Sequence, residues 1–246
     1  MIKKYKISVP KSTLNEIYKK VRNFPWSAAQ NMNGWEYGTN LNYLKNISKY
    51  WITKYNWKKF ENKINSFKNY KTRVEDINLH FIFEKSKNPN SKPLLLLHGW
   101  PGSITEFLDI IPRLAHPEKF GGKIEDGFDI IVPSLPGFGF SSQIKKALGP
   151  RKIGKILNKF MVKNLGYKSY FVQGGDWGAT IAGWIGLDSS KNCKGIHINC
   201  LPLRHPKGTK NIKEKKWEKK FNFDQIMQEG YRTQQATKPQ TLSYAM

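Results

Sequence analysis

Up to about residue 70 the hydrophobic positions recur with the period of a helix. Leu14, Ile17, Tyr18 and Val21 fall at i, i+3, i+4 and i+7 after the cap candidates Ser12 and Thr13, which predicts an amphipathic helix. A loop follows through Pro25 and an Asn/Gly stretch to Gly38. Leu41, Leu44, Ile47, Tyr50 and Trp51 then predict a second helix, and Trp57, Phe60, Ile64 and Phe67 a shorter third. Their aromatic side chains are expected in the core.

At Leu79 the period changes. Residues 79–83 (Leu-His-Phe-Ile-Phe) alternate like a half-buried strand, and after the turn at Asn88-Pro89-Asn90 the run Pro93 to Leu97 is continuously apolar. A strand covered on both faces requires such a run. Beyond it the pattern predicts a helix from Ser103 to Leu114, a strand from Phe128 to Val132, a helix from Ile153 to Leu165, a strand from Tyr170 to Val172, a helix from Trp177 to Leu187 and a strand from Gly195 to Ile198. Strands alternating with helices give an α/β fold, a mostly parallel sheet with helices on both faces. After residue 200 a Pro-rich linker leads into helical pattern through Trp217, Phe221, Phe223, Ile226 and Met227. The expected divisions are a helical segment 1–75, an α/β core 76–200 and a further helical region 201–246.

Composition narrows the field. A chain of 246 residues is one large domain, or one with an appendage, and 39% hydrophobic with 13% aromatic content supplies a core that a disordered chain lacks. The net charge of +24 invites a polyanion-binding reading. Yet 36 of the 42 basic residues are lysine, no basic run exceeds two residues, and no zinc-finger or RNP signature is present. Base readout favours the guanidinium fork. With 20 asparagines besides, the charge reads as solvated surface, and no nucleic-acid partner is expected. Cys193 and Cys200 lie seven apart around a strand, on opposite faces, so no disulfide is expected between them. That implies a reducing, cytoplasmic setting. The N-terminus has no apolar h-region and the longest aliphatic run is Leu94 to Leu97, so neither a signal peptide nor a membrane anchor is expected.

Three motifs carry candidate chemistry. The sequence Gly174-Gly175-Asp176-Trp177-Gly178 stands at a strand-to-helix junction in the small-x-nucleophile-x-small form of a nucleophile elbow. A tight turn lifts the central side chain above the sheet, and small residues two positions away let strand and helix approach. The alternative is that Asp176 merely caps the next helix. His98-Gly99-Trp100-Pro101-Gly102 follows the buried strand. In a hydrolase with an elbow such a loop supplies one oxyanion-hole N–H and the residue after the nucleophile the other, which assigns Trp100 and Trp177. His98 itself reads as a structural hydrogen-bonding residue. The loop Pro133 to Gly139 looks superficially like a phosphate loop, but lacks the full Gly pattern and any Walker lysine.

Together these segments resemble the epoxide hydrolases of the α/β-hydrolase superfamily, of the microsomal and juvenile-hormone type with an extra N-terminal domain. The resemblance runs through Phe24-Pro25-Trp26, Gly34-Trp35-Glu36-Tyr37-Gly38, Tyr50-Trp51 and Tyr55-Asn56-Trp57, then the oxyanion loop and the elbow, then Gly230-Tyr231 with Gln235 and Thr237-Lys238-Pro239. It implies that Asp176 opens an epoxide of an apolar small molecule as nucleophile, that Tyr231 donates to the ring oxygen from a cap beginning in 201–246, and that Trp100 and Trp177 also line the substrate. A carboxylate suits a saturated carbon, because the resulting alkyl ester can be hydrolysed. No cofactor or metal is implied, and the His and Cys residues form no ligand-spaced cluster.

The second half-reaction requires an acid and a His after the nucleophile. Past Asp176 the only histidines are His197, read as a sheet residue, and His205, in the linker. Both machinery residues are therefore expected beyond Met246, and the chain is expected to be the N-terminal part of a longer enzyme, unable to turn over alone. Two other readings stand beside it: a haloalkane or haloacid dehalogenase, which shares the Asp elbow followed by Trp, and a noncatalytic binding protein on the same scaffold.

Overall fold

The computed structural model describes residues 1–28, 34–36 and 38–200. The predicted cap region 201–246, including Tyr231 and His205, lies outside the described residues. Contacts group the chain into two units. In the one that contains residues 8–57, helix α1 spans Lys11–Arg22 and α2 spans Leu41–Thr53. Pro10, not Ser12 or Thr13, occupies the N-cap of α1. The fixed φ of proline suits a helix start, and the two hydroxyl residues fall inside the first turn. Asn40 caps α2, its side chain accepting from the Tyr43 N–H at 3.1 Å. Tyr50 and Trp51, expected in the core, are exposed.

The other unit holds residues 1–7 and 58–202. Helix α3 spans Trp57–Asn65. The strands are β1 (Lys3–Lys4), β2 (Asn69–Val74), β3 (Ile77–Glu84), β4 (Lys92–Leu97), β5 (Phe128–Pro133), β6 (Tyr170–Gly174) and β7 (Cys193–Ile198). They form one mixed sheet in the order β1-β2-β3-β5-β4-β6-β7. From β5 across β4 and β6 to β7 the pairing is parallel; β3 runs antiparallel to β5, and β2 to β3. Parallel neighbours require crossovers, supplied by α4 (Ile111–Ala115), α5 (Pro150–Lys159) and α6 (Trp177–Asp188).

The core forms where strands are covered on both faces. Leu95, Leu97, Ile131, Phe81, Phe160, Tyr170, Ile156 and Ile181 belong to one buried cluster, and each such aliphatic side chain contributes about 1.5–3 kcal/mol. Phe81 and Phe160 meet edge to face with centroids 4.8 Å apart. Strand β3, predicted to be half-buried, is buried from Leu79 through Ile82. His80 enters the interior because Ser134 Oγ, 2.8 Å from Nδ1, and Asn69 Oδ1, 3.0 Å from Nε2, satisfy both ring nitrogens.

Two predicted helices are broken. Instead of one helix from Ser103 to Leu114 there is a 3-10 turn, Ile104–Phe107, and then the short α4. Ser103 Oγ accepts from the Thr105 N–H, which starts the turn, and Pro112 fits only near the start of a helix, where its missing N–H costs nothing. Beyond α5 the chain widens into a π turn at Phe160–Asn164. There the adjacent residues Phe160 and Met161 are both fully buried. Cys193 and Cys200 are both free.

Candidate active site

The site is assembled by main-chain pairing. Strands β4 and β6 are parallel neighbours with Leu97 opposite Gly174, so whatever follows each strand emerges at the same edge of the sheet. The Gly175 N–H donates to the Leu97 carbonyl at 3.3 Å. His98-Gly99-Trp100 and Gly175-Asp176-Trp177 are therefore side by side at the carboxyl ends of the parallel strands, where open α/β sheets carry their ligand sites.

Asp176 adopts φ 49° and ψ −124°, a conformation that non-glycine residues rarely enter. It occupies the N-cap position of α6 without capping it, since its side chain makes no cap hydrogen bond. Instead its Oδ1 accepts from the Trp100 N–H at 2.8 Å. The carboxylate is thus turned to the loop 98–102 and not to the end of α6. The turn is closed by contacts that admit no side chain. A Cβ on Gly174 would overlap the Gly178 carbonyl, and one on Gly178 would overlap the Leu97 carbonyl. A third glycine, Gly99, does the same on the facing loop: a Cβ there would overlap the Asp176 side chain. The sequence reading attached that role only to Gly174 and Gly178.

His98 is buried with both nitrogens engaged. Nδ1 lies 2.9 Å from the Gly99 carbonyl, and Nε2 accepts from the Leu135 N–H at 3.1 Å. That pairing fixes the tautomer with the proton on Nδ1, and burial holds its pKa below the usual imidazole value. The ring thus ties the loop 98–102 to the loop 133–139, the segment that superficially resembled a phosphate loop. Phe138 of that loop packs on the same imidazole at a centroid distance of 5.5 Å.

Trp177 begins α6, so its N–H is among those without an intrahelical partner. The indoles of Trp100 and Trp177 are about half exposed. Glu106 is a neighbour that sequence reasoning missed. Its carboxyl is pushed up by burial, held back by hydrogen bonds from the backbone at Ser103 and Gly99, and pushed up further by the charge of Asp176. The only hint in the sequence was its place three residues after Ser103. His197 stands exposed on β7, across from Gln173. Among the described residues no group of three or more His, Cys, Asp or Glu is arranged to hold a metal ion.

An aspartate on a strand-to-helix elbow, beside a loop N–H aimed at its carboxylate, in a sheet of this order defines the α/β-hydrolase class. The family model "alpha/beta hydrolase fold" matches residues 92–245, and the chain belongs to that family. The model "Epoxide hydrolase N terminus" matches residues 2–107. Among relatives, Epoxide hydrolase 1 of Oryctolagus cuniculus is 32% identical over 100% of this chain and 59% of its own length. Juvenile hormone epoxide hydrolase 1 of Ctenocephalides felis is also 32% identical, over 100% of this chain and 56% of its own. The crystal structure of juvenile hormone epoxide hydrolase from the silkworm Bombyx mori superposes with a TM-score of 0.72 at 32% identity, covering 84% of this chain and 49% of that one. The chain thus spans between about half and three-fifths of the length of these three proteins.

Proposed function

We propose that the protein of which this chain forms at least part opens an apolar epoxide by attack of Asp176, giving an alkyl ester that water then hydrolyses to a diol. The observation that carries the reading is the Asp176 carboxylate, lifted on the elbow and bonded to the Trp100 N–H rather than to the end of its own helix. In that pose Oδ1 is the oxygen that becomes the ester carbonyl, and Oδ2 forms the new bond to an epoxide carbon as the ring C–O bond breaks. The ring oxygen takes its proton from a phenol, the role we assign to Tyr231. When water adds to the ester carbon, negative charge returns to Oδ1, and the N–H groups of Trp100 and Trp177 meet it there, each worth about 3 kcal/mol to that step. The second step also requires a His base and an acid that orients it. The substrate is a small molecule with apolar substituents to match the two indoles.

Incubating the chain with styrene oxide and measuring intact mass tests the proposal. One adduct on the peptide that carries Asp176, absent in Asp176→Asn, is expected. Halide release from a bromoalkane with no epoxide adduct would overturn the reading in favour of dehalogenation.

A further inference from the structure

The loop that aims the Trp100 N–H at Asp176 needs a fixed shape, which the buried His98 ring supplies at its start. Further along, Gly99 and Gly102 have no side chain with which to do so. Glu106 fills that gap. It sits in the 3-10 turn Ile104–Phe107, where Ile104, Phe107 and Leu108 are buried and anchor the turn on the sheet side. Its own N–H donates to the Ser103 carbonyl at 3.1 Å, fixing where the side chain leaves the turn. From there the carboxylate folds back over the loop, so that a Cβ on Gly102 would overlap its Oε1. The backbone at Gly99 and Ser103, at the two ends of the loop, favours the charged form of the same carboxylate. Trp100, between those ends, donates to Asp176.

We propose that Glu106 is a positioning residue: its carboxylate clamps the backbone from Gly99 to Ser103, and this holds the Trp100 N–H on the Asp176 oxygen. The idea rests on the reading of Asp176 as nucleophile, but its first test does not. A carboxylate seated against loop backbone holds the nearby amides closed. In hydrogen exchange on the chain, Glu106→Ala should speed the amides of Gly99, Trp100 and Ser103 about tenfold while leaving those of β4, β5 and β6 unchanged. Glu106→Gln, which keeps one acceptor oxygen, should fall between wild type and Glu106→Ala. Unchanged exchange at the three loop amides, or equal acceleration across the sheet, would overturn the clamp. Should Glu106→Ala fail to fold, Glu106→Gln carries the same comparison.

The second measurement is the rate of styrene oxide adduct formation. A displaced donor next to a nucleophile costs one to two orders of magnitude, so Glu106→Ala should slow the adduct about tenfold or more, with Glu106→Gln recovering part of that loss. Wild-type adduct formation together with an unaltered rate in Glu106→Ala would overturn the role of Glu106 alone. A wild-type chain that forms no adduct would instead count against Asp176, and the exchange data would still decide the clamp.

Discussion

Three glycines and one strained aspartate set the site at the scale of single residues. Because the Gly99 Cβ position coincides with the Asp176 side chain, Gly99→Ala must move the carboxylate or the loop, whereas the sheet beneath is not touched. We expect Gly99→Ala to lower the rate of epoxide adduct formation by about 100-fold with a nearly unchanged urea midpoint. Gly178→Ala differs because its Cβ meets main chain on β4, which cannot swing aside. It should lose about 3 kcal/mol in urea denaturation, at the upper end of what overpacking usually costs. Equal stability of the two variants would show that the Gly178 contact relaxes. Asp176→Asn suits the adduct test because Asn tolerates the left-handed φ about as well as Asp.

At the scale of elements, His80 couples β3 to β2 and to the loop 133–139, and its charge state decides whether that coupling survives. Burial, aided by the positive charge of Lys71, holds the imidazole pKa down to about 3, against 6.5 in an exposed chain. The folded protein therefore binds fewer protons than the unfolded one between those values, and stability falls as pH drops through that window while remaining intact above 6.5. His98 acts in the same direction. The urea midpoint should decline from pH 6.5 to pH 4, and less steeply in His80→Gln; an identical slope would show that His80 is not the coupled group. The alternation at 79–83 located β3 but assigned it one wet face, since periodicity cannot see that Ser134 and Asn69 await the histidine. Strands β4 and β5 were legible because buried parallel strands read as apolar runs; β6 and β7, less buried, were legible as short apolar stretches flanking a helix. Strand β2 was not: Lys71 and Arg73 interrupt it, and only pairing with β3 makes it a strand. Nor was β1, two lysines on a sheet edge. The run from Ser103 to Leu114 has helical hydrophobicity, but Ser103 and Pro112 impose their own starts. Asp176 was legible in its motif and Glu106 was not, for a carboxylate that folds back onto a loop leaves no spacing signature.

The whole molecule carries +24, and its described ion pairs are mostly exposed lysines, which add little individually. Self-repulsion of such a surface opposes the compact state and is screened by salt. Raising NaCl from about 0.02 to about 0.2 M should therefore raise Tm by a few degrees, about 1 kcal/mol for a chain this size; a flat or falling Tm would show that attractive pairs dominate. No helix of the described residues is long and apolar enough to cross a membrane.

The engagement of every ring nitrogen on His80 and His98 has a consequence for reactivity. An imidazole-acylating reagent needs a free lone pair, and in the closed molecule neither residue offers one to solvent. Acylation at these two positions would then proceed only through opened molecules, so its rate would act as a clock for the breathing of the sheet and of the loop 98–102, read separately at His80 and at His98 from one digest.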